Sequence, residues 1–130
     1  MRMLVAVIAS SVFLGQIAVC NAAQPSDVLG TWGAFDEKSG TCTPDSIGVA
    51  VTATKFTVHM GGHEINVRPV GQAACSGNRC TVNTTATRKS RTWTWIFKTA
   101  DTAAIEGYFP HDMAVGGFLE FKHMLKKGCP

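Results

Sequence analysis

The sequence predicts an all-β protein: a small antiparallel β-barrel of about eight strands, or else a β-sandwich, tied by two disulfides. Three observations predict it. Short runs of alternating apolar and polar residues recur along the chain, separated by turns containing Gly or Pro. No window carries an apolar stripe of helical period. Four cysteines, Cys42, Cys75, Cys80 and Cys129, follow an apolar leader, as in an exported disulfide-bonded domain.

The leader comes first. Arg2 is a positive start, Leu4 to Leu14 is apolar, and Cys20-Asn21-Ala22-Ala23 offers small residues for cleavage. This is the signal-peptide pattern, placed at residues 1–23. Its apolar stretch is shorter than the roughly 20 residues a spanning helix needs, and no later stretch is long enough. The expected product, residues 24–130, is one soluble domain, periplasmic or secreted. Cleavage after Ala22 and after Ala23 both fit. Lipid attachment at Cys20 is the alternative, although Val19 is a poor residue before a lipidated cysteine. The formal net charge of +3 falls by one when Arg2 is removed. So mild a charge gives no ground for nucleic-acid binding, which wants a strongly basic face.

The expected strands run 28–35, 47–54, 55–60, 63–70, 80–87, 92–98, 103–109 and 117–123, with a short helical turn at 24–27 before the first. In 91–97, alternation puts Trp93, Trp95 and Phe97 on one side, the expected core wall, joined by Trp32 from the first strand. Four cysteines allow three pairings. Cys75 with Cys80 is favoured because Ser76-Gly77-Asn78-Arg79 between them is a turn-forming tetrapeptide, which leaves Cys42 with Cys129. A four-thiolate zinc site is disfavoured, since it needs paired spacings of the C-x-x-C kind.

Around His59-Met60-Gly61-Gly62-His63-Glu64-Ile65, two runs flank a glycine pair that suits a tight type I′ hairpin. With the glycines as the loop, Met60 opposes His63, His59 opposes Glu64 and Val58 opposes Ile65. Phe56, Val58, Met60, His63, Ile65 and Val67 then share one face, and Thr57, His59, Glu64 and Asn66 the other. A slip of one residue spoils both faces, so the register is specified. The two histidines are sent to opposite sides, and a shared metal between them is not expected. His-Met neighbours suit copper. On that ground His111 with Met113, in a loop after Pro110, is the better candidate for copper, with His63 a further one; no metal site is assigned. No cofactor motif is present.

No catalytic residues are assigned. The serines lack a nucleophile-elbow context, the cysteines are better used as disulfides, and the carboxylates sit where surface charges sit. Arg88-Lys89-Ser90-Arg91 reads as a basic turn between two strands. Arg88, Lys89 and Arg91 are therefore the candidate residues for an anionic partner.

Gly30-Thr31-Trp32 resembles the G-x-W opening of lipocalins and other calycin barrels, in which the tryptophan packs at the closed end of an eight-stranded barrel. The later motifs of that family have no counterpart here. Gly30-Thr31-Trp32, Cys42-Thr43-Pro44-Asp45-Ser46, Val51 to Phe56, an internal cysteine, a Trp-containing strand and a cysteine near the end together resemble small exported proteins of alphaproteobacteria. That resemblance implies compartment, fold and a pairing of the early and final cysteines. It implies no activity.

The expected function is that of a non-catalytic binding or envelope-associated protein, expected to be a monomer. Its ligand would be a small apolar molecule inside the barrel or an envelope protein on the rim. An inhibitor of an envelope-directed enzyme, such as a lysozyme inhibitor, and a copper-binding periplasmic protein are the alternatives.

Overall fold

The computed structural model describes residues 22–43, 47–86, 89–110 and 117–130. The strands are β1 (Gly30–Gly33), β2 (Gly48–Val51), β3 (Phe56–Met60), β4 (His63–Pro69), β5 (Ala74–Ser76), β6 (Arg79–Ala86), β7 (Lys89–Phe97), β8 (Thr102–Pro110) and β9 (Phe118–Lys127), preceded by a 3-10 helix at Pro25–Val28. All pairings are antiparallel. Eight strands form a ring in the order β4-β3-β2-β1-β9-β8-β7-β6. It closes where Arg68 and Pro69 of β4 meet Thr85 and Thr84 of β6. The fold is therefore a closed barrel, not a sandwich. Closure removes the long open edges of a flat sheet.

The hairpin has the register that alternation specifies, from Phe56 opposite Val67 to Met60 opposite His63. Gly61 and Gly62 have φ of 59° and 86°, the left-handed values a type I′ turn demands. Phe56 and Val58 are fully buried, while Met60 and Ile65 pack against the core from its margin.

Several boundaries differ from the expectation. Val28 ends the 3-10 helix and lies outside β1. Its carbonyl accepts the buried Trp32 indole N–H at 2.9 Å, which holds the segment across the barrel end. Thr52–Lys55 is a turn, with the Thr52 backbone N–H donating to Lys55 O at 2.8 Å. β5 was not anticipated. It is an extra strand beside β6, with Cys75 opposite Cys80.

β7 starts at Lys89, opposite Ala86, so Lys89 and Arg91 lie within the ladder and not in a turn. Thr84 Oγ1 donates to Arg91 O across that ladder. β9 continues to Lys127, four residues past the expected end. The disulfides join Cys42 to Cys129 and Cys75 to Cys80.

The interior is aromatic. Trp32, Trp93, Trp95, Phe56, Phe109 and Phe121 have essentially no solvent exposure, and Phe97 is partly buried. Their rings meet in succession. Phe97 lies 5.9 Å from Trp32, Trp32 6.4 Å from Trp95, Trp95 5.9 Å from Phe56, Phe56 5.0 Å from Trp93, and Trp93 5.5 Å from Phe121. Small residues on β8 make the room. Gly107 is buried, and a Cβ there would overlap the Trp93 indole.

Candidate binding surface at the barrel mouth

The direction of the strands gives the barrel two unlike ends. At the lower end lie the 3-10 helix, the turns at 52–55 and 98–101, and the C-terminus. This end is stoppered. Val28 is buried beneath the 3-10 turn, and the Lys127 ammonium sits 5.3 Å from the Trp32 ring centre. A cation over an indole face is attracted by the ring quadrupole. The Cys42–Cys129 disulfide and the Lys126 Nζ bond to Gly40 O, 2.6 Å, fasten the segment after β1 to the end of β9. Surface hollows of about 540 Å³, beside Ala23, Phe97 and Lys98, and about 320 Å³, between Leu29, Ala53 and Ala73, flank the N-terminal segment.

At the upper end are the Gly61-Gly62 turn, the last residues of β6 and β8, and the first residues of β7 and β9. Residues 87–88 and 111–116 lie outside the described residues, so Arg88, His111 and Met113 are not placed. Alternation assigns the inward positions near this end. They include Met60, His63 and Ile65 from the hairpin, Arg91 opposite the buried Thr84, and Leu119 opposite the buried Phe109. Met60 and Ile65 are half-buried, while His63, Arg91 and Leu119 are exposed. The mouth therefore combines apolar side chains with an arginine and a histidine. Lys89 begins the strand that carries Arg91.

The histidines of the hairpin are separated. His63 belongs to the mouth. His59 lies on the outer face, where it covers the bare backbone of Gly48, its neighbour across β2 and β3. Among the described residues, no group of three or more His, Cys, Asp or Glu side chains is arranged to hold a metal ion.

Sequence reasoning missed three features: the Gly107 notch beneath Trp93, the Lys127 cover on Trp32, and the short seam between β9 and β1. A lone glycine inside an alternating run was a legible sign of close approach. The other two depend on which strands become neighbours. No family model, no curated protein and no solved structure matches this chain.

Proposed function

We propose that the protein is a non-catalytic exported binding protein that meets its partner at the upper mouth, with no ligand held deep in the barrel. One observation carries this reading: the aromatic side chains from Trp32 to Phe121 occupy the interior. A ligand-holding barrel leaves space enclosed by apolar walls. Binding capacity then falls to the mouth, where Arg91, Met60, Ile65 and Leu119 all hold inward positions. An anionic or acidic partner surface suits that set and the net positive charge. An envelope protein is the favoured partner class. Two disulfides suit an oxidising compartment, and no helix among the described residues is long and apolar enough to cross a membrane.

The test is a pull-down from periplasmic extract on immobilised protein, run beside Arg91→Glu. The expected outcome is a stoichiometric partner that the variant loses. Native mass spectrometry that found a small molecule retained by the folded barrel, and released on unfolding, would sink the mouth reading.

A further inference from the structure

The ring of strands is unevenly joined. β9 pairs with β8 from Phe118, opposite Pro110, to Lys126, opposite Thr102. On its other side it meets β1 only at Lys126 and Lys127. β1 is four residues long, and the chain beyond it turns back on itself. Phe35 bridges to Cys42, and the Asp36 N–H donates to Thr41 O. The upper part of β9, Phe118–Lys122, has β8 on one side and, among the described residues, no strand on the other. Such an edge is a template for another strand.

The occupant can be argued from the side chains. Phe121 is buried, so its neighbours Glu120 and Lys122 point outward, and both are exposed. Let two β9 edges run antiparallel with Phe121 against its own copy. Each Glu120 then falls opposite a Lys122, so one ion pair is made twice. A slip of two residues sets Glu120 against Glu120 or Lys122 against Lys122, which is unfavourable. A slip of one opposes inward with outward positions. One register survives.

We propose that the protein forms a two-fold dimer by antiparallel pairing of its β9 edges about Phe121, with Glu120 and Lys122 setting the register. The contact is isologous, so it closes at two copies. Its small extent places it among weak, concentration-dependent interfaces. Such a dimer departs from the monomer that the sequence reading expects.

The experiment is sedimentation of the purified, disulfide-bonded protein over a wide concentration range. Beside it, labelled and unlabelled copies are mixed and joined by a zero-length carbodiimide linker. The expected result is a mass rising toward that of two chains, with Glu120–Lys122 links between labelled and unlabelled peptides. Lys122→Glu should weaken the dimer roughly tenfold or more, since it places like charges opposite each other twice. The double variant E120K/K122E should recover it, because the pairing is restored with its sense reversed. Circular dichroism establishes that each variant is folded. A single-chain mass at every concentration, or a dimer indifferent to Lys122→Glu, overturns the proposal.

Discussion

Replacing Gly107 by alanine should destabilise this barrel, although on local grounds it should do the opposite. Gly107 lies within β8 and is not among the positive-φ glycines. An alanine there meets no backbone strain, and in a strand interior it should gain about 0.5–1 kcal/mol over glycine. The cost comes from one neighbour. The new Cβ would overlap the six-membered ring of Trp93, at Cδ2, Cε2 and Cε3. That indole cannot swing clear, since Phe56 and Phe121 stand 5.0 and 5.5 Å away and the ring is fully buried.

Overpacking of this kind costs about 1–3 kcal/mol. Subtracting the local gain from a mid-range cost of about 2 kcal/mol leaves a net loss of about 1–1.5 kcal/mol, or a fall in Tm of roughly 4–12 °C for a domain of this size. Urea and thermal unfolding followed by tryptophan fluorescence would measure it. A double-mutant cycle isolates the cause. With Trp93→Phe as background, the smaller ring leaves room, and Gly107→Ala should cost at least about 1 kcal/mol less than in the native protein. Gly107→Ala that stabilises the protein, or that adds independently to Trp93→Phe, would refute the notch.

The two disulfides should differ in worth. The Cys42–Cys129 bond spans 87 residues of sequence and the Cys75–Cys80 bond 5. In the chain-entropy model, replacing the first pair by serines removes at most about 4–5 kcal/mol and replacing the second about 2, an order that urea unfolding of the two double variants would check. Gly61→Ala and Gly62→Ala should each cost about 1–2 kcal/mol from the left-handed backbone alone, because a Cβ at either position meets nothing within 4 Å. Trp32→Phe should lose about 1 kcal/mol or more with the bond to Val28 O. Hydrogen exchange should then speed up selectively at residues 26–29.

What could be read from the sequence was what alternation and turn chemistry decide locally. The glycine pair and the apolar face of 56–67 determined a register and sent the histidines to opposite sides. Trp93 and Trp95 declared the core wall because they sit two apart. The errors came where polarity imitates a turn. Arg88–Arg91 reads as a loop, yet Lys89 and Arg91 continue β7, because charged residues near a barrel rim stay solvated while their backbone keeps the ladder. The expected last strand ends at 123, before Lys126 and Lys127. Their long stems allow the backbone to continue in β9 while one ammonium reaches Gly40 O and the other covers Trp32. Neither the three-residue β5 nor the brief β1–β9 seam has any local signature. Both follow from how the ring closes.

The aromatic interior bears on function through its two buried indole donors. Among the described residues, the N–H groups of Trp93 and Trp95 have no hydrogen-bond acceptor. A buried donor left without one costs about 1–3 kcal/mol. Aromatic rings are among the neighbours of Trp95: the planes of Phe56 and Trp32 are inclined to it by 72° and 70°, T-shaped pairs in which the edge of one ring meets the face of the other. Such faces are weak acceptors. A lumen evolved to orient a polar ligand would use these donors and give them space, whereas here bulky rings fill the positions around them. The interior thus works as the barrel's core. On the proposed function, recognition falls to the surfaces that the core holds in place: the mouth around Arg91, and the upper edge of β9, which among the described residues pairs with β8 alone.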